Sequence, residues 1–184
     1  RDKLAEEAGL DVSNPPTTFD EVVEWANTIH EKTGAYGFSM NMVDSWILEM
    51  LSASSGELIA TPDNGRGGKD VTGVNMTSKT QLDMFQKIVD MFKDGTALNP
   101  GTDSSSMMTA FTSDKLGLVL TSSASYTSLL PGDSTSNVTV AQFPHDASNK
   151  KAGTPIGGNS LWIVAAEHSE AEQKATWEFG KYMM

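Results

Sequence analysis

The chain has 184 residues, 38% of them hydrophobic, which is typical of a folded chain with about one domain. Its formal net charge of −11 opposes nonspecific binding to nucleic acid or to an anionic membrane, because both would repel an acidic surface. The sequence contains no cysteine, which excludes a disulfide framework, a cysteine zinc site and a thiol nucleophile. It also contains no run of about 18 apolar residues that would predict a membrane-spanning helix.

Helical signals dominate the first part of the chain. Residues 1–8 have the pattern of a helix end, and Gly9 is its predicted terminator. Thr18 and Glu21 have the spacing of a capping box, which predicts a helix that begins there and ends at Gly34. Apolar residues follow at helical intervals: Phe19, Val22, Val23, Ala26 and Ile29.

A strand, a helix and a turn-rich stretch are predicted next. Residues 36–42 have the composition of a strand, and Asp44 or Ser45 is placed to cap the helix that follows. Gly56 is the predicted end of that helix. Residues 62–74 are rich in glycine and aspartate, which indicates a solvated turn.

The middle of the chain repeats the alternation of helix and strand. Ser78 and Gln81 predict a helix that ends at Gly95. A short helix around residues 107–111 and a buried strand over residues 116–121 follow. In the helix predicted between Ser78 and Gly95, the apolar face consists of Leu82, Phe85, Ile88, Val89 and Phe92.

The last part is predicted to contain one or two helical turns over residues 126–130, strands over 138–143 and 160–165, and a capped helix over 169–184. Interleaved helices and short strands are typical of an α/β fold, with helices on one or both faces of a largely parallel sheet. The chain begins and ends within helical patterns, and we interpret it as a fragment of a longer protein.

Signatures of catalysis and of metal binding are weak. The glycine-rich loop at 65–69 lacks the Ser or Thr that follows the lysine of a phosphate-binding loop. Residues 148–151 match the S-x-x-K pattern without its companion motifs, and G-x-S-x-G is absent. The three histidines have no metal-ligand spacing. We therefore predict no catalytic residue, no metal and no cofactor.

Three segments share a design in which small polar residues stand beside an aromatic residue, near a helix start or a strand end. They are residues 44–46, 121–126 and 157–163. We interpret Trp46 as a ring at the mouth of a cleft that stacks on a sugar or polyol, with core packing as the alternative. The serines of 121–126 follow a buried strand, where ligands bind in open α/β sheets, although a plain serine-rich turn is equally compatible with the spacing.

A glycine pair opens the third segment, and such a pair lets the backbone approach a ligand or another part of the chain closely. Together the three segments predict one binding surface. The candidate ligand-binding residues are Asp44, Ser45, Trp46, Ser122, Ser123, Ser125, Tyr126, Gly157, Gly158, Asn159 and Ser160.

The same segments resemble a known family. Residues 10–24 are similar to the "PP-T-W/F-DEL" segment of bacterial ABC-transporter solute-binding proteins of the maltose-binding-like group. Residues 157–162 resemble their "GG-SLW" segment, and residues 169–184 resemble the helix that follows it. The resemblance covers nearly the whole chain and is closest to the branch that binds glycerol 3-phosphate, with sugar binders next.

The resemblance implies one lobe of a two-lobed periplasmic-binding-protein fold, with a mixed sheet flanked by helices. Residues 1–184 would form the second lobe, together with a strand and a helix that cross back toward the first. It further implies that Trp46, Ser122 and the backbone of Gly158 contact the ligand.

The implied function is substrate binding for an ABC importer, with glycerol 3-phosphate, a glycerophosphodiester or a sugar as ligand and the permease as partner. The resemblance implies an extracytoplasmic location, in the periplasm or on the cell surface. The membrane would be contacted only through a lipid anchor absent from this fragment, and no nucleic acid is implied.

Two other functions are open at this point. A carbohydrate-active hydrolase domain would need a pair of carboxylates facing the cleft at Trp46. A sensor or structural module that kept the fold without transport would lack permease genes beside its own.

Overall fold

A computed structural model describes residues 1–41, 46–130, 137–149, 153, 156–157, 161–164 and 166–183, and it leaves out the side chains of residues 46 and 48. Within these residues the helices are α1 (Asp2–Glu7), α2 (Phe19–Thr33), α3 (Trp46–Ser54), α4 (Lys79–Lys93), α5 (Ser105–Thr112), α6 (Tyr126–Leu129) and α7 (Glu170–Met183). The strands are β1 (Tyr36–Met40), β2 (Ala60–Thr61), β3 (Gly73–Val74) and β4 (Leu116–Leu120).

The centre of the fold is a parallel pair of strands. β1 pairs with β4, with Tyr36 opposite Leu116 and Met40 opposite Leu120. The chain around Ala97 lies along the other edge of β1, where Phe38 and Ala97 form a parallel bridge. β2 and β3 form a separate antiparallel hairpin, so the chain contains both kinds of strand pairing.

Helix α2 lies closely against this central pair because two glycines form the surface beneath it. The register places Gly37 of β1 opposite Gly117 of β4. A Cβ atom at Gly37 would overlap the backbone carbonyl of Ala26, and one at Gly117 would lie 2.7 Å from Cδ1 of Ile29. Ala26 and Ile29 are both fully buried. The helix can approach this closely only because neither strand carries a side chain at this level.

The apolar core has two parts. In the larger part α2, α3 and α4 pack on β1, and Phe19 meets Phe38 edge to face with ring centroids 6.3 Å apart. In the smaller part, α5, β4 and α6 come together through Met107, Phe111, Leu116 and Leu129. β4 therefore has a helix layer of its own and is held from two sides.

The predicted capping boxes of α2 and α4 are confirmed. The Thr18 hydroxyl accepts a hydrogen bond from the backbone N–H of Glu21, and the Glu21 carboxylate accepts from the N–H groups of Thr17 and Thr18. These backbone N–H donors lower the pKa of Glu21 to about 2. Gly34 ends α2 in the left-handed conformation, as predicted.

The buried face of α4 differs from the predicted one. Ile88 is buried as predicted, but Leu82 and Val89 are 53% and 40% exposed. The two apolar stripes of this helix lie side by side, and its periodicity does not decide which one packs. The stripe that faces the core consists of Gln81, Met84, Ile88 and Met91.

Two predicted strands are wrong as far as the structure describes them. Residues 138–143 and 161–164 have no regular secondary structure. A strand exists only when its backbone groups pair with a neighbouring strand, and neither segment meets one among the described residues. Much of both segments is exposed, Val140 to 70% and Trp162 to 85%, so their apolar composition led neither to strand pairing nor to full burial within the described chain.

Helix α7 is formed as predicted, but it has no buried residue. Trp177 is 50% exposed and Phe179 is 63% exposed, and Trp162 in the preceding segment is 85% exposed. Among the described helices, none combines the length and apolarity needed to cross a bilayer. The aromatic side chains of α7, which we call its aromatic face, are thus largely exposed.

We predict that Glu21→Gln removes a pH-dependent part of the stability. In the folded protein the pKa of Glu21 is about 2, below its ordinary value of 4.5. The stabilisation by the ionised carboxylate is therefore complete above pH 4.5 and is lost as the pH falls toward 2. At neutral pH, Glu21→Gln should lower the free energy of unfolding by only about 0.5 kcal/mol, because solvent screens the exposed charge. A glutamine can also fill this capping position, as Gln81 does at the start of α4.

Urea unfolding of the wild type, Glu21→Gln and Glu24→Gln at neutral pH and at about pH 3 measures this effect. Glu24 is the control, since it is an exposed carboxylate one turn further along the same helix. If Glu21→Gln and Glu24→Gln lose stability equally on acidification, the carboxylate of Glu21 is not the source of the pH dependence.

We predict a graded series for alanine at three glycines. Gly37→Ala should cost more than about 3 kcal/mol, since its methyl group meets the backbone of Ala26. Gly117→Ala should cost less, because the flexible end of Ile29 can move aside. Gly180→Ala should be neutral or stabilising by up to about 1 kcal/mol, since nothing lies within 4 Å and alanine favours helix. Denaturant midpoints in the reverse order would contradict the close approach of α2.

Candidate functional site

The carboxyl ends of β1 and β4 meet at one edge of the central pair. Met40 and Leu120 are partners in register, so Asn41 and Thr121 leave the strands side by side. The chain after Asn41 leads to the first residue of α3, Trp46, and the chain after Thr121 leads into the predicted serine cluster. Two of the three predicted binding segments therefore leave the sheet at the same edge. We refer to it as the carboxyl edge.

The serine cluster, residues 121–126, is a tight turn with its own hydrogen bonds. The Ser122 hydroxyl accepts from the N–H of Ala124 at 3.2 Å, and the carbonyl of Ser122 accepts from the N–H of Ser125 at 2.9 Å. The Thr121 hydroxyl donates to the hydroxyl of Ser125 at 3.5 Å. This turn feeds α6, whose Leu129 is anchored in the smaller core. The turn is therefore held in place from both ends.

Several groups of this turn remain accessible. Ser122, Ser123 and Tyr126 are exposed, and the Tyr126 ring is 43% exposed. The Ser123 hydroxyl makes no hydrogen bond to the described residues. The surface thus offers hydroxyl donors and acceptors and one aromatic ring, which suits hydrogen bonding and stacking with a polar ligand.

A third segment reaches the carboxyl edge, and the sequence did not predict it. The N–H of Leu98 donates to the carbonyl of Phe38 at 2.9 Å, and the Ser39 hydroxyl donates to the carbonyl of Leu98 at 2.8 Å. This short parallel contact carries Asn99 and Gly101 past the end of β1. The contact is a single bridge, which is too short to give a periodic pattern in the sequence. The local sequence indicated only a turn, through the residues Asn-Pro-Gly at 99–101.

The remaining predicted residues are only partly described. Asp44, Ser45, Gly158, Asn159 and Ser160 lie outside the described residues, and so does the side chain of Trp46. Gly157 is exposed, and no atom lies within 4 Å of the position that a Cβ would take. Nothing in the described chain requires a glycine there for packing. The grouping of Gly157 with the carboxyl edge stays a prediction.

The larger cavity found among the described residues lies elsewhere. It has a volume of about 410 Å³ and is lined by α1, the turn from α2 to β1 and the turn from α5 to β4. It therefore lies at the amino ends of β1 and β4, opposite the serine turn. A second cavity of about 210 Å³ lies between residues 162–164 and α7.

A cluster of charges beside the larger cavity ties α1 to the fold. Asp114 accepts a hydrogen bond from Nε of Arg1 at 2.7 Å and one from Nζ of Lys3 at 3.1 Å. Desolvation raises the pKa of Asp114, but the hydrogen bonds from Arg1 and Lys3 outweigh it and the pKa is lowered. The charges of Arg1, Lys3 and Asp114 are thus paired with one another, and we assign this cluster a structural role.

Metal-ligating side chains do not converge in the described part of the chain. Three or more His, Asp or Glu residues do not come together there in an arrangement that could hold a metal ion. The candidate site is therefore the polar surface at the carboxyl edge.

Comparison with known proteins places the chain in a family. All of residues 1–184 match the model of the bacterial extracellular solute-binding proteins. The sn-glycerol-3-phosphate-binding periplasmic protein UgpB of Rhizobium meliloti is 31% identical over 182 residues, which are 97% of this chain and 40% of the relative. UgpB of Agrobacterium fabrum is also 31% identical over 182 residues, with 98% and 40% coverage. The chain thus spans about 40% of the length of these relatives.

Solved structures agree on the fold. The crystal structure of a Synechococcus protein assigned as an oligosaccharide periplasmic-binding protein superposes with a TM-score of 0.50 at 22% identity. The superposition covers 62% of this chain and 28% of that one. At this identity the likeness shows the fold, which is that of one lobe of a periplasmic binding protein. The chain belongs to the bacterial extracellular solute-binding protein family.

Proposed function

We propose that residues 1–184 are the second lobe of a solute-binding protein, together with a strand and a helix that cross back to the first lobe. The complete protein delivers a polyol phosphate or a carbohydrate to an ABC importer. The observation that carries this proposal is the parallel register of β1 and β4, which brings Asn41 and the exposed serine turn to one edge. Ligands of open α/β sheets bind beyond such an edge.

The chemistry of this edge supports binding without catalysis. Hydroxyl groups from Ser122 and Ser123 and backbone N–H groups of the turn hydrogen-bond to ligand hydroxyls or phosphate oxygens. The ring of Tyr126, and that of Trp46 where it faces the cleft, stack on the apolar face of a sugar or glycerol. We assign no catalytic residue and no cofactor to this surface.

The exposed aromatic face of α7 supports the proposed division into lobes. A folded chain in water rarely exposes so many large apolar side chains in one region. The exposed residues of this region are Leu161, Trp162, Val164, Trp177, Phe179 and Tyr182. We propose that they pack against the first lobe of the complete protein. Closure of the two lobes would then enclose the ligand against the carboxyl edge.

The relatives support the ligand class and the location. The two relatives described above are named as periplasmic proteins that bind sn-glycerol 3-phosphate, and we propose this compound, a glycerophosphodiester or a sugar as the ligand here. The complete protein would work outside the cytoplasm, in the periplasm or on the cell surface, with an ABC permease as its partner.

The test of the function is a ligand screen with the complete protein. Thermal shift followed by calorimetry should identify sn-glycerol 3-phosphate, a glycerophosphodiester or an oligosaccharide that binds with a dissociation constant of about 1 μM. NMR of the same mixtures should show that the ligand is unchanged. Hydrolysis of an oligosaccharide would favour the hydrolase alternative, and failure of every compound to bind would contradict the proposal.

We predict that removing polar or aromatic groups from the serine turn weakens ligand binding. Ser123→Ala and Tyr126→Ala in the complete protein should each raise the dissociation constant by about tenfold, since each loses one contact worth about 1.4 kcal/mol. Ser113→Ala is the matched control, because its exposed hydroxyl bonds only to carbonyls of its own helix. Equal affinities of all three variants would exclude this turn from the site.

We also predict that the isolated chain of residues 1–184 binds far more weakly than the complete protein. The isolated chain keeps half of the ligand contacts and cannot close on the ligand. We therefore expect a millimolar dissociation constant for it and a micromolar one for the complete protein, a difference in binding free energy of roughly 4 kcal/mol. Calorimetry on both proteins measures this difference, and light scattering detects self-association through α7. Tight binding by the isolated chain would contradict the two-lobe proposal.

A further inference from the structure

The end of α3 and the residue that follows it carry three buried serines. Ser52, Ser54 and Ser55 have relative exposures of 0%, 1% and 9%. The other described side chains on its inner face, Ile47 and Leu51, are apolar core residues. Burying a hydroxyl group costs free energy unless it finds a hydrogen-bond partner. The partners of these serines therefore indicate what the end of α3 is attached to.

The first serine attaches α3 to the start of α4. Nε2 of Gln81 donates to the Ser52 hydroxyl at 2.8 Å, and both residues are fully buried. The same amide of Gln81 donates to the carbonyl of Asn75 at 3.2 Å, and its Oε1 accepts from the N–H of Ser78 at 3.0 Å. Gln81 thus ties the end of α3, the end of the hairpin and the cap of α4 together.

The other two serines attach α3 to residues 143–149, which we name the return segment. The Ser54 hydroxyl donates to the carbonyl of Pro144 at 2.9 Å. The Ser55 hydroxyl accepts from the N–H of Asp146 at 3.3 Å and lies 3.8 Å from the sulfur of Met84. These contacts join residues about 90 positions apart in the chain.

The return segment is itself fixed to the start of α2. The N–H of His145 donates to the carbonyl of Thr17 at 3.2 Å, and the N–H of Phe19 donates to the carbonyl of His145 at 3.0 Å. Pro144 is buried. The return segment therefore forms a bridge between the first turn of α2 and the last turn of α3.

We infer that Ser54 and Ser55 are positioning residues for ligand binding. They end a helix whose first residue is Trp46, about 12 Å away along the axis at 1.5 Å per residue. They also hold the return segment through Pro144 and Asp146. One pair of hydrogen bonds thus connects the helix that begins with Trp46 to the return segment.

Directional contacts are needed for this role. An apolar contact allows α3 to slide or rotate by small steps at low cost, whereas a hydrogen bond from a buried hydroxyl holds one distance and one angle. A helix moves as a unit over two turns, so a constraint at Ser54 is passed to Trp46. The part of this inference that concerns the ligand rests on the proposed function.

The experiment uses the complete protein labelled with 5-fluorotryptophan. The variants are Ser54→Ala, the milder Ser55→Ala and the control Ser113→Ala. The fluorine resonance of Trp46 is assigned with Trp46→Phe and followed without ligand, and the resonance of Trp25 in α2 is the internal reference. The affinity for sn-glycerol 3-phosphate and the melting temperature are measured on the same samples.

We expect Ser54→Ala to shift or broaden the Trp46 resonance while the Trp25 resonance is unchanged, and to weaken binding by about fivefold to tenfold. Ser55→Ala should have a smaller effect of the same kind, and Ser113→Ala should have neither. One result would overturn the inference. If Ser54→Ala and Ser55→Ala both lower the melting temperature but leave the Trp46 resonance and the affinity unchanged, these serines only stabilise the fold.

The two proposals fail in different ways. If the wild-type protein binds none of the compounds in the ligand screen, the proposed function fails, and the Trp46 resonance of the ligand-free variants still decides the positioning role. If the wild-type protein binds and the variants bind equally well with an unchanged resonance, the positioning role fails and the proposed function stands.

Discussion

The close approach of α2 to the central strands is the constraint on which the rest of the structure depends. Gly37 and Gly117 leave no side chain between the strands and the helix, so the carbonyl of Ala26 and the side chain of Ile29 come down onto the backbone. This contact holds β1 and β4 together although 75 residues, 41–115, lie between the two strands in the chain. A larger residue at Gly37 would displace the helix from both strands.

The candidate site follows from this pairing. Two parallel strands in register release their carboxyl ends at one edge, where Asn41 follows β1 and the serine turn follows β4. The opposite edge is occupied by α1 and the charges around Asp114, which are paired with one another. The two ends of one strand pair thus differ in character: one offers accessible hydroxyl groups, and the other carries paired charges beside a cavity of about 410 Å³.

Polar contacts and exposed apolar groups divide the chain into two parts. Residues up to the return segment share a core that is closed by α2, α3 and α4 and by the buried network of Ser52, Ser54 and Gln81. The described residues beyond it, with α7, bury no large side chain. Our proposal that these exposed apolar side chains pack against the first lobe of the complete protein gives this contrast a physical account.

The sequence by itself determined the local structure and the family. Capping boxes at Thr18 and Ser78 and the terminator Gly34 act within one turn of helix, so their effect could be predicted without knowledge of any distant residue. The sequence also placed the serine turn after a buried strand. Tertiary structure decided which stripe of α4 is buried, that residues 138–143 and 161–164 do not form strands within the described chain, and that Asn99 reaches the carboxyl edge. Each of these outcomes depends on a partner that is distant in sequence, and local periodicity carries no information about such partners.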